Sequence, residues 1–166
     1  MVRFLAHAVT KFRQDERGSM LVEMALVAPL MLSLSAGVFE FGNLIQRKLL
    51  IEAGLRDGAR YAARCRPIGT ACSTAAANLA ATATVNGTGA ARVAGWTAAS
   101  VTVQPQYLTT AVVDGSGNQI YRSSSANVYT VRVSTSFPYA GVSLLSYLGL
   151  GPITLAGAQE ERYIGW

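Results

Sequence analysis

Histidine is nearly missing from this chain. The single one, His7, falls in a basic N-terminal segment ahead of a long apolar run. A Ser-His-Asp or Cys-His centre in the domain that follows would therefore need a different base. Charge is scarce too: 14% of the 166 residues are ionisable acids or bases, which is not the balance of an ordinary soluble surface. The acids beyond the apolar run (Glu40, Glu52, Asp57, Asp114, Glu160 and Glu161) show no metal-ligand spacing, and no phosphate-cradling loop follows a strand. No metal and no cofactor is expected, and the chain reads as a non-enzyme. Cysteine is limited to Cys65 and Cys72, without histidine or further cysteine partners, which speaks against a four-ligand zinc site within one chain. In an oxidising compartment the two can close the loop Arg66-Pro67-Ile68-Gly69-Thr70-Ala71 as a disulfide. Such a bridge contributes about 2–3 kcal/mol; the other reading is two unrelated thiols. Internal repeats and long disordered runs are also absent.

The net charge of +5 does not form a basic stripe. Lys and Arg gather near the apolar run, where they can face lipid headgroups. After Arg66 only the scattered Arg92, Arg122, Arg132 and Arg162 remain. No nucleic-acid partner is expected.

What the chain does have is a charge-free stretch between Glu23 and Glu40. Counted from Gly18 it reaches the roughly 20 residues that a bilayer core requires, with Glu23 inside it. An acid at the centre of such a helix costs about 2.5–3.5 kcal/mol, and less near an end. Glu23 is either a tolerated, interface-facing group or one retained for a partner. Pro29 interrupts helix hydrogen bonding but is tolerated within membrane helices. A secretory signal peptide is the rival reading: the leader is basic (Arg3, Lys11, Arg13, Arg17), and Ser33-Leu34-Ser35 offers small residues for cleavage. Against it, the helical pattern continues far past that point. Both flanks of the span are basic, so charge alone does not orient it.

From Glu40 to about Arg64, Phe41, Leu44, Ile45, Leu49, Leu55 and Tyr61 recur at helical spacing, and Arg66-Pro67 is a natural stop. The spacing predicts one helix over 19–64, about 70 Å long. Its membrane span covers about 19–40 and its juxtamembrane part 41–64. A helix that protrudes so far needs a partner for its apolar stripe. Glu52, Arg56, Arg60 and Arg64 share one face, with Glu52–Arg56 and Asp57–Arg60 as expected pairs. This face is either solvated surface or a partner face. Gly54 and Gly58 form a G-x-x-x-G step that permits close helix packing.

Residues 65–166 read as a separate domain. Ser73 to Ala83 suits a short helix ending near Asn86-Gly87. Ser100–Gln104, with Pro105 marking an edge, Asn127–Ser134 and Ile153–Ala156 read as strands, and Asp114-Gly115-Ser116-Gly117-Asn118 as a turn. The fold class is α+β: a long N-terminal helix followed by a small antiparallel sheet domain. Leu144, Leu145, Tyr147, Leu148 and Leu150 form an apolar patch, read as core or as a membrane or partner contact.

Three sequence blocks resemble a known family. These are Arg17-Gly18-Ser19-Met20-Leu21-Val22-Glu23-Met24, then Gly37-Val38-Phe39-Glu40-Phe41-Gly42, then Arg56-Asp57-Gly58-Ala59-Arg60-Tyr61-Ala62-Ala63. The first resembles the processing site of type IV pilin-like precursors. Together, over roughly residues 12 to 64, they resemble the TadE-like family, pseudopilin-like proteins of the tight-adherence (Flp) pilus machinery. The resemblance implies a leader over 1–18 that a prepilin peptidase removes between Gly18 and Ser19. It implies that Glu23 attracts the α-amine of a neighbouring subunit during assembly. It further implies a single-pass inner-membrane protein with a cytoplasmic N-terminus and a periplasmic domain over 65–166. The implied partners are other pilins or pseudopilins, assembly-platform proteins, the peptidase and membrane lipid. The alternatives are an unprocessed membrane-anchored binding or secretion module, and a secreted protein released by signal peptidase.

Overall fold

A run of helix-compatible residues without a stop signal becomes helix α1 (Glu16–Arg64) in the computed structural model, which describes residues 16–67, 69–123, 125–139 and 153–165. The basic leader with His7, and the apolar patch around Leu144 and Tyr147, lie outside the described residues. The chain divides at Gly42 into two units. α1 belongs to the first up to Gly42 and to the second from Asn43.

In the first unit almost every large apolar side chain is exposed: Met20, Leu21, Met24, Leu26, Leu30, Leu32, Val38 and Phe39 are each more than half accessible. Each such side chain left in water forgoes roughly 1.5–3 kcal/mol, so this surface belongs against lipid or other apolar helices. Two of its hydroxyls are closed internally. Ser33 Oγ donates to the Pro29 carbonyl and Ser35 Oγ to the Met31 carbonyl, both at 2.8 Å. In a bilayer, where no water is available, these bonds would keep both hydroxyls satisfied. The helix continues through Pro29.

The second unit has a core. Ile51, Leu55, Ala59 and Ala62 of α1 are buried against α2 (Thr70–Thr82), Trp96 and the inner face of a three-stranded sheet. α2 is seated there because α1 presents glycine. A Cβ on Gly54 would overlap the Ala80 carbonyl oxygen, and one on Gly58 would lie 2.9 Å from the Ala76 carbonyl oxygen. α2 itself is largely alanine, with Ala76, Ala77, Ala80 and Ala81 buried, so two small faces bring the helix backbones together. The disulfide between Cys65 and Cys72 fixes the connection between them, with Cα atoms 6.1 Å apart. Ala83, in the left-handed conformation, ends α2 and donates its N–H to the Leu79 carbonyl.

Strands β1 (Val101–Ala111), β2 (Asn127–Pro138) and β3 (Thr154–Arg162) form an antiparallel meander in that order. β2 is central and alternates, with Val131, Val133, Thr135 and Phe137 buried. The Trp96 indole N–H donates to Thr135 Oγ1 at 3.1 Å, and that hydroxyl donates to the Ser100 carbonyl at 2.5 Å, so the buried polar atoms are satisfied. β1 is an edge strand, as Pro105 signals. Pro105, Gln106 and Tyr107 sit opposite the single Val131 in a bulge between Gln104 and Leu108.

All three strands are longer than their sequence pattern suggests, and β2 runs past Ser134 to Pro138. β1 runs on past Gln104 through the bulge. β3 reaches Arg162 because Glu160 and Glu161 pair across the sheet with Arg132 and Val131. The chain after β3 then returns to the end of α1. Tyr163 Oη donates to the Cys65 carbonyl at 2.8 Å, and the Ile164 N–H donates to the Ala63 carbonyl at 3.0 Å. These bonds satisfy carbonyls that a helix C-terminus leaves open.

Beyond β1, the turn at Asp114 is held by its own carboxylate. Oδ1 accepts the Ser116 and Asn118 N–H groups at 2.9 and 2.8 Å, and Oδ2 accepts the Asn118 side-chain amide at 3.1 Å. The Asn118 side-chain bond, then the backbone bonds, hold this carboxyl below its ordinary value of 3.8. A depressed folded-state pKa means that the turn's contribution is present above the ordinary value and is lost as pH falls through the lower, folded one. The Asp114 carboxyl, followed by NMR, should titrate below the usual aspartate range, and Asn118→Ala should move it upward.

The glycine seat makes a second prediction. Gly54→Ala should destabilise the domain by about 1–3 kcal/mol through overpacking. Gly42→Ala, whose Cβ meets nothing within 4 Å, should be neutral or stabilising, because alanine is the better helix former. Denaturant unfolding of the two variants in detergent measures both.

Candidate functional site

Two stretches of α1 carry the residues singled out from sequence. The first lies in the first unit. Gly18 opens the described face with nothing within 4 Å of the position a Cβ would take. Ser19 and Glu23 follow, both exposed and four residues apart, and therefore on one face of the helix. Met20, Leu21, Met24 and Val27 surround Glu23 and are exposed as well. Glu23 makes no ion pair or hydrogen bond among the described residues. A carboxylate on an apolar helix face, with no counter-charge among the described residues, can attract an external cation. In hydrocarbon the attraction of such a pair greatly exceeds its value in water.

The second stretch lies in the second unit, where the structure divides the charged face. Lys48 takes Glu52 at 3.3 Å, one turn earlier than the expected partner Arg56. Arg92, brought over by the segment after α2, takes Asp57 at 2.5 Å in place of Arg60. Arg60 instead meets Glu161 of β3 at 3.7 Å. Local spacing suggested the pairs Glu52–Arg56 and Asp57–Arg60, and tertiary neighbours displaced them. Arg56 and Arg64 stay exposed, without an ion-pair partner among the described residues. Gly54 and Gly58 are used up inside the chain by α2, so they are not open to a helix of another protein. Cys65 and Cys72 are bridged.

Among the described residues no three His, Cys, Asp or Glu side chains are grouped to hold a metal ion. Sequence reasoning missed the parts of Arg92 and Tyr163. A lone arginine between glycines and alanines carries no periodic signal, and a tyrosine after the last strand gives no hint that it returns to Cys65. Trp96 was legible in principle, since a tryptophan between an alanine-rich helix and a first strand is a natural plug for the gap between them.

α1 from Gly18 onward is long and apolar enough to cross a membrane, by length and composition. No curated protein and no solved structure matches the chain. Residues 18–60 match the family model described as TadE-like protein, a match over about a quarter of the chain that begins at Gly18 itself. Over this segment, which holds Glu23 and the charged face through Arg60, the chain is similar to TadE-like proteins.

Proposed function

We propose that this chain is a minor pseudopilin-like protein of a Flp-type (tight-adherence, type IV) pilus. It is anchored in the inner membrane by the first half of α1, with its α+β domain on the periplasmic side. It is a substrate of a prepilin peptidase, cut between Gly18 and Ser19, and has no catalytic role of its own. Its partners are other pilins or pseudopilins and the assembly platform. The observation that carries this reading is Glu23, without a partner among the described residues and one helical turn after Ser19 on an exposed apolar helix. Cleavage would place a free α-amine on Ser19, a cation of the kind such an acid attracts. Within one helix, residue 19's amine and residue 23's carboxylate can pair locally. Between helices the same two groups set an axial register, because the carboxylate of one subunit meets the amine of the next.

Intact-mass and N-terminal analysis of the protein from native membranes should give a start at Ser19, and Gly18→Phe should leave the full-length precursor. A start at Met1 would instead mean an unprocessed anchor, and a start near Ala36 a cleaved signal peptide. Glu23→Gln keeps shape and removes charge. It should leave processing intact while lowering recovery with the pilus fraction roughly tenfold, the factor that about 1.4 kcal/mol represents. Quantitative immunoblotting of sheared and membrane fractions reads that change.

A further inference from the structure

The α1–α2 hairpin carries a cleft of about 540 Å³, lined by Arg60, Tyr61 and Arg64 from α1, Arg66 from the connector and Leu79 from α2. Asp57 also lines it, with its charge already held by Arg92 at 2.5 Å. The cleft is thus cationic at its rim and apolar along Tyr61 and Leu79. We propose that it is a docking site for an acidic, amphipathic segment of a partner protein, with carboxylates one helical turn apart and an apolar side chain between them.

Charge bookkeeping across the unit selects that occupant. Every acid of residues 43–166 is engaged within the chain. Glu52 is held by Lys48, Asp57 by Arg92, Glu160 by Arg132 and Glu161 by Arg60, while Asp114 accepts the bonds of its own turn. A second copy of this domain can offer a carboxylate only by breaking one of these pairs, so a different chain with free carboxylates is the better complement. Most other cations are occupied as well: Arg47 lies over Tyr139, Arg132 over Tyr107 and Arg162 over Tyr121, at 5.1, 4.6 and 4.5 Å. Arg64 and Arg66 are exposed and unpaired among the described residues. Arg60 holds Glu161 only at 3.7 Å with its side chain 60% accessible, a pair that is weak in water. Three guanidinium groups at one end of a hairpin make a local anchor, not the extended track that a nucleic-acid backbone follows. Arg60 and Arg64 lie one turn apart, about 6 Å along the helix, which matches carboxylates at i and i+4 of a facing helix. Tyr61 and Leu79 give its apolar side chain a surface to cover.

The test uses the full chain in uncharged detergent micelles and fluorescence anisotropy with three labelled probes. The first is an alanine-based helical peptide with glutamates at i and i+4 and leucine at i+3. The second is the same composition scrambled, and the third is oligothymidylate of equal charge. The patterned peptide should bind roughly tenfold or more tightly than either control. It should lose roughly tenfold on Arg64→Glu or on Arg66→Glu, and should be unchanged by Arg122→Glu, an exposed arginine elsewhere. Equal binding of the three probes, stronger binding of oligothymidylate, indifference to both arginine substitutions, or no binding would each overturn the proposal. Arg66 lies outside both helices, so its substitution reads the cleft even if Arg64→Glu disturbs α1.

Discussion

The contact on which the second unit depends is the one between helix backbones at Gly54 and Gly58. Without side chains at these two positions, the Ala76 and Ala80 carbonyls of α2 come down onto α1. That approach fixes where Trp96 sits, since its ring also lies over Gly54. Trp96 in turn fixes Thr135 through its indole N–H, and with it the central strand. Each step is short-range and tightly packed, so a single added methyl group at the first is felt along the rest.

The same helix obeys opposite rules on either side of Gly42. From Asn43 onward it behaves as a core helix, with Ile51, Leu55 and Ala59 fully covered by its own chain. Before Gly42 its leucines and methionines face outward among the described residues, each more than half exposed. The hydrophobic effect makes both halves seek burial; only one finds it within the molecule. The other is left to lipid and to neighbouring helices. Glu23, in that half, makes no ion pair or hydrogen bond among the described residues, whereas the carboxylates of residues 43–166 each have a partner within the chain. This division of charge is what gives Glu23 and the Arg60–Arg66 cleft complementary characters, one seeking a cation and the other an anion.

Much of this was readable in the residues. The helix was legible because its apolar pattern runs unbroken, and its end because Arg66-Pro67 follows. β2 was legible as far as Ser134 because Val131 and Val133 alternate with outward residues, and its continuation through Phe137 was not read. β3 was read too short, since Gly157, Glu160 and Glu161 look like a tail until Arg132 and Arg60 are placed opposite them. The G-x-x-x-G step was visible, but not which helix would use it. α2 is so poor in distinguishing side chains that nothing in its alanines announces a partner. The ion pairs were the least legible: i to i+4 spacing proposes partners, and tertiary neighbours from residue 92 and residue 161 take them.

Among the described residues the hydrophobic core lies wholly within residues 43–166, so the folded half should be complete without the apolar half of α1. The measurement that tests it most directly is urea unfolding of a fragment spanning residues 43–166, followed by tryptophan fluorescence and far-ultraviolet circular dichroism together. A single cooperative transition, coincident by both probes and without detergent, is the predicted result. A fragment with helix signal but no cooperative loss of Trp96 burial would contradict it, and would mean that α1 folds its domain only when its apolar half is covered.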